Sequence, residues 1–141
     1  MDARMLTPDY SVSPQILPED MADIAARGFA TVICNRPDAE VPPDIQADVM
    51  AEAAAKAGLA FHVLPLTPQT MTPENVARQR ALIEGSQGPV LAYCASGTRC
   101  SVIWALGEAG HSPVDQVLAA TRAAGYALDN LRPTLELAAR Q

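Results

Sequence analysis

The chain has 141 residues, 49% of them apolar and 18% charged, with a net charge of −6. That length fits a single domain spanning residues 1–141, with a core large enough to need no disulfides. Lys56 is the only lysine and the nine arginines are scattered, which excludes the clustered cations that a nucleic-acid backbone partner requires.

Residues Met1 to Tyr10 carry acidic and Pro residues where a signal peptide would have a basic start and an apolar run. No stretch approaches the roughly 20 apolar residues of a membrane helix. Three cysteines without an export signal point to free thiols in a reducing compartment, so a cytoplasmic location is expected, with no membrane association.

In chain order, Pro18–Glu19–Asp20 opens a helix that Gly28 stops. Phe29–Cys34 is short, apolar and β-branched, as a buried parallel strand should be. A Pro-rich loop covers Asn35 to Pro43, and Asp44 is placed to cap an alanine-rich helix ending at Gly58. Ala60–Leu64 is the next strand. Thr72 caps a third helix with Pro73 in its first turn. Val90–Tyr93 is a buried strand that runs straight into Cys94, a loop, and a helix from about Thr98 to Glu108. Two more helices follow, after Pro113 and from about Asn130. This alternation predicts an α/β domain of three layers, with a parallel central sheet of about four strands covered by helices on both faces. Ligands bind at the carboxyl ends of such strands, so the loops starting at Cys34, Leu64 and Cys94 share one rim.

A Cys between a buried strand and a helix start has a definite chemistry. Unpartnered N–H groups and the helix dipole, about half a positive charge, favour an anion there. A thiol so placed has its pKa lowered from ~8.5 into the range of about 3.5–7.5. In Cys94–Ala95–Ser96–Gly97–Thr98–Arg99, Gly97 lets the backbone turn inward and Arg99 offers paired planar donors to an oxyanion. The bland alternative, a small core cysteine, leaves Gly97 and Arg99 without a purpose.

The run Tyr93–Cys94–x–Ser96–Gly97–Thr98–Arg99–x–Ser101, with the upstream Val32–Ile33–x–Asn35–Arg36–Pro37–Asp38, resembles the bacterial phosphatase-like domain that is also fused to β-lactamase-like hydrolases and is at times described as a sulfur transferase. The likeness runs from about Pro14 to Leu131. It implies a fold similar to dual-specificity protein phosphatases, with relations to the rhodanese active-site loop. Two departures stand out. Four residues separate Cys94 from Arg99, where Cys-dependent phosphatases have five and rhodaneses four. Cys100 follows Arg99 where the family usually has Ser, whose hydroxyl assists the leaving thiolate in phosphatases.

Cys94 and Arg99 are therefore the candidate catalytic residues, with Asp38 as the only rim carboxyl suited to be a general acid, or a turn residue after Pro37. Ala95, Ser96, Gly97, Thr98, Cys100, Ser101, Asn35 and Arg36 form the candidate substrate-binding set. Arg36 either positions an anion or pairs with Asp38 or Glu40. Cys34 and Cys100 are either core residues or resolving thiols for an oxidised Cys94. His62 and His111 have no spacing that pairs them with Cys94. No metal site or cofactor is expected.

The short loop, sized for a single sulfur, places sulfur transfer through a Cys94 persulfide first. Phosphate hydrolysis through a phosphocysteine stands second, and a non-catalytic anion-binding module third. The expected ligand is a small sulfur- or phosphate-containing anion, with a thiol acceptor or protein partner if sulfur is passed on.

Overall fold

The computed structural model describes residues 1–140. Five strands, β1 (Arg4–Thr7), β2 (Tyr10–Ser13), β3 (Thr31–Cys34), β4 (Ala60–Val63) and β5 (Val90–Tyr93), form one sheet in the order β1-β2-β5-β3-β4. Six helices accompany them: α1 (Met21–Ala26), α2 (Ala47–Lys56), α3 (Pro73–Glu84), α4 (Thr98–Glu108), α5 (Val114–Ala123) and α6 (Arg132–Ala139).

Strands β2, β5, β3 and β4 are parallel, and β1 is an antiparallel edge strand. The sheet thus has five strands where about four were expected: four are parallel, and the hairpin of β1 and β2 joins the three strands read from the sequence. Ser11 and Ser13 of that hairpin are buried, so β2 lacks the apolar run that marks a buried strand in sequence. Its pairing with β5, Tyr10 against Val90 through Ser13 against Tyr93, is what makes it one.

Alternate strand residues feed two cores, as the period of two demands. Val90 and Ala92 pack with Trp104, Leu118 and Leu135 beneath α4, α5 and α6. Leu91 and Tyr93 pack with Ile24 and Met50 of α1 and α2. Helices cover both faces, as expected.

Helix α3 starts as read, with the Thr72 side chain accepting from the Asn75 N–H at 3.2 Å behind Pro73. Helix α2 does not. Asp44 lies in a short 3₁₀ turn, Pro43–Ile45, and the helix begins at Ala47. Pro18–Asp20 is likewise a 3₁₀ turn leading into α1. No helix among the described residues is long and apolar enough to cross a membrane.

The register puts Ser13, Tyr93, Cys34 and Val63 level with one another at the carboxyl edge of the sheet. Four loops therefore meet on one rim: the three expected, and the one after β2.

Candidate active site

The loop after β5 is held by backbone groups from the loop after β2. The Cys94 N–H donates to Ser13 O at 3.4 Å, and the Gln15 N–H to Ala95 O at 3.3 Å. Gly97 has φ +94°, a left-handed conformation that a side chain rarely adopts. A Cβ at Gly97 would also lie 2.1 Å from Tyr126 Oη. That hydroxyl donates to Ser96 O at 2.8 Å, so Tyr126 braces the loop from outside, and Arg4 of β1 lies 5.2 Å above its ring. The Ser101 hydroxyl donates to Gly97 O at 2.8 Å from within α4. Ser96 and Thr98 are exposed and bond to each other at 2.9 Å between hydroxyl oxygens.

This backbone curls round Cys94 Sγ. The Gly97 N–H donates to the sulfur at 3.1 Å. The thiol is pushed down to about 5, first by the Cys100 S–H, then by the N–H groups of Cys100, Gly97 and Ser96, all working against burial. Loop dipoles and a thiol donor thus outweigh desolvation. Cys100 is thus a donor toward the Cys94 sulfur. Burial pushes the Cys34 and Cys100 thiols up instead. Cys94 is the one thiol of the three held as an anion near neutral pH. It is buried at the base of the loop.

Arg99 faces the loop from the first turn of α4. Its Nη1 donates to Glu40 Oε2 at 2.8 Å and to Leu66 O at 2.9 Å, and its Nη2 to Glu40 Oε1 at 2.8 Å. Arg36 reaches the same carboxylate, Nε to Oε1 at 3.1 Å, and also Gln15 Oε1 at 3.2 Å. Between these two guanidiniums the Glu40 carboxyl is held below its ordinary value, Arg99 contributing most.

Of the other sequence-derived candidates, the rim brings Arg36 close to Arg99 through Glu40. Asp38 turns elsewhere: its Oδ1 accepts from the Ala47 N–H at 2.8 Å, so it caps α2 in the role read for Asp44. Asn35 is fully buried, paired through both amide atoms with Gln79 at 2.9 and 3.0 Å, and donating to Leu64 O at 2.8 Å. Gln79 also donates to Tyr10 Oη at 3.2 Å, and that hydroxyl to Cys100 O at 2.9 Å. This buried chain ties β2, β3 and α3 to the start of α4. Tyr10, Gln79 and Tyr126 carry no local sequence signal, because each partner lies at least 30 residues away; of the Glu40 bridge only the Arg36 end is local, four residues off, while Arg99 lies 59 residues on. No group of three or more His, Cys, Asp and Glu suited to a metal occurs among the described residues.

A strand, a thiolate loop and a helix bearing Arg, on a mostly parallel sheet covered on both faces, define the Cys-loop phosphatase-type domain. The chain belongs to the family described as beta-lactamase hydrolase-like protein, phosphatase-like domain, whose family model matches residues 2–111. A Xylella fastidiosa (strain 9a5c) beta-lactamase hydrolase-like protein is 32% identical over 133 residues, which is 93% of this chain and 31% of that protein. The chain thus spans about a third of the length of such curated relatives. A crystal structure of a candidate phosphatase from Neisseria meningitidis z2491 superposes with a TM-score of 0.87 at 36% identity, covering 98% of this chain and 99% of that one. The crystal structure of PTPMT1 shares the fold alone, with a TM-score of 0.71 at 15% identity over 98% of this chain and 94% of that one.

Proposed function

We propose that this domain is a phosphatase that works through a phosphocysteine on Cys94. The observation that carries the reading is the Cys94 sulfur, which accepts from the Gly97 N–H at 3.1 Å and whose thiol is pushed down to about 5 by the Cys100 thiol and loop N–H groups, on a fold and in a family that are both phosphatase-like. The thiolate attacks the phosphorus of a phosphate monoester opposite the leaving oxygen. The S–P bond forms as the ester P–O bond breaks, and the leaving oxygen departs with the electron pair and takes a proton from water. A second water cleaves the S–P bond, returning the thiolate and releasing inorganic phosphate. Inward N–H groups and Arg99 stabilise the equatorial oxygens, where charge is greatest.

Leaving-group protonation is the weak part of this site. Asp38 caps α2 and Glu40 is held ionised between two arginines, so neither is set up to donate a proton. That favours substrates whose leaving oxygen is only weakly basic, such as aryl or acyl phosphates. Crystals of TpbA with phosphotyrosine and PTPMT1 with PI(5)P show phosphate-bearing ligands in proteins of this fold, and support a phosphate-bearing ligand here.

The spacing of four residues between Cys94 and Arg99 favours a second reading, sulfur transfer. The thiolate then attacks the sulfane sulfur of a donor such as thiosulfate, an S–S bond forms on Cys94, and sulfite leaves. One experiment separates the two. Purified protein is given an aryl phosphate or thiosulfate, quenched in acid, and Cys94 is examined by mass spectrometry. A phosphoryl adduct, and turnover that rises with pH through about 5 as Cys94 ionises, is the expected result. A persulfide that reductant removes, without phosphate release, would put sulfur transfer first.

A further inference from the structure

The five N–H donors of a guanidinium are arranged in a fixed plane. In Arg99, three are taken: one Nη1–H and one Nη2–H by the two oxygens of Glu40, the other Nη1–H by Leu66 O. Nε–H and the remaining Nη2–H lie side by side along one edge of the plane. They form the paired fork that matches two oxygens of a tetrahedral oxyanion. Glu40 occupies the end of the guanidinium and not this side edge, and the Cys94 sulfur is the other group that acts on Arg99. Arg36 steadies Glu40 in turn, through Oε1.

We infer that Glu40 is a positioning residue that clamps Arg99 end-on, so that its Nε/Nη2 edge is presented to the oxyanion bound over Cys94. The inference rests on the oxyanion-binding part of the proposed function and is independent of the chemical step. Glu40 touches no reacting atom; it acts through Arg99, whose other side-chain anchor is the single bond from Nη1 to Leu66 O. Two other roles for the same carboxylate make opposite predictions. As a competitor lying where the substrate anion belongs, Glu40 would weaken anion binding. As a simple negative charge beside an anion site, it would do the same through repulsion. Positioning alone predicts that removing a negative charge weakens the binding of an anion.

The test is calorimetric titration of inorganic phosphate into wild type, Glu40→Gln, Arg99→Ala and the double variant, with folding followed by circular dichroism. The ion pair is partly exposed, with side-chain exposures of 19% for Arg99 and 35% for Glu40, so Glu40→Gln should fold nearly as well as wild type. The expected result is phosphate binding weaker by about tenfold in Glu40→Gln, with the substitution silent once Arg99 is Ala, which is the coupling a shared route requires. Glu40→Asp, too short to meet both Nη atoms, should also bind weakly while keeping the charge. Tighter phosphate binding in Glu40→Gln overturns the inference, as does an undiminished effect in the Arg99→Ala background. Absence of phosphate binding in wild type overturns it too. Wild type that binds phosphate as expected but hydrolyses no aryl phosphate leaves the inference standing and removes the proposed function.

Discussion

Two neighbouring stretches of the rim are stabilised in different ways. The Cys94–Arg99 loop is held at its own backbone: Cys94 N–H on Ser13 O, Ala95 O under the Gln15 N–H, and the Ser96 and Gly97 carbonyls under the Tyr126 and Ser101 hydroxyls. Its charge-stabilising power comes from the buried Cys100 S–H and from N–H dipoles of the loop, none of which needs a solvent-facing partner. The loop from Asn35 to Gln46 is fixed mainly by side chains: the Asp38 cap, the Glu40 bridge, and Gln46 Nε2 donating to Val41 O at 3.2 Å. Those ion pairs are partly exposed and are screened by salt. The lesson is a division of labour. A contiguous loop surrounds the Cys94 sulfur as a cup, and a frame of side chains holds Arg99 through Glu40.

The same division explains what the sequence reveals. A strand leading into Cys–x–x–Gly–x–Arg and a helix is contiguous, so the cup can be read directly from residues 90–101. Helix α3 is legible for the same reason, since Thr72, Pro73 and Asn75 lie within one turn. The frame is not contiguous. Asp38 caps a helix that starts nine residues later, and Asp44, closer and of the right type, draws the eye first. Asn35 has the polarity of a ligand-binding residue, yet Gln79, 44 residues on, and Leu64 O satisfy it in the core. Strand β2 becomes visible only through its pairing with β5.

The sharpest way to test the cup is through pH. Between about 5, where the folded thiol titrates, and ~8.5, where the unfolded one does, the unfolded chain holds a proton on Cys94 that the native chain lacks. Native stability should therefore rise with pH across that window and fall as pH drops through about 5. Urea melts of wild type and Cys94→Ser from pH 5 to 8 should diverge by a few kcal/mol at the upper end, at most ~1.4 kcal/mol per pH unit. Parallel curves would mean that the loop does not stabilise a thiolate. Cys94→Ser should also abolish turnover.

A smaller effect is expected where Tyr126 meets the cup. Gly97→Ala forces a side chain into a left-handed conformation, at about 1–2 kcal/mol, and against Tyr126 Oη. Tyr126→Phe alone should cost about 1 kcal/mol through the lost hydrogen bond to Ser96 O. In the Phe background, part of the Gly97→Ala penalty should disappear, because the closest clashing atom is gone. Strict additivity of the two melting shifts would show that the contact is not shared.

The smallest effect probes the frame, and it decides what Asp38 does. As a helix cap, Asp38 accepts from the Ala47 N–H through Oδ1, and removal of such an acceptor costs about 0.5–2 kcal/mol. Asp38→Ala should then lower stability by about 1 kcal/mol, while Asp38→Asn, which keeps a carbonyl oxygen at the same place, should be nearly neutral. As a general acid, the pattern reverses. Both variants would then lose turnover alike, most on aryl phosphates with basic leaving groups, because Asn donates no proton to a departing oxygen. The cap role predicts that kcat for phenyl phosphate and for p-nitrophenyl phosphate changes little in Asp38→Asn. Loss confined to phenyl phosphate would return Asp38 to the chemistry and make the capped geometry a resting arrangement of the loop.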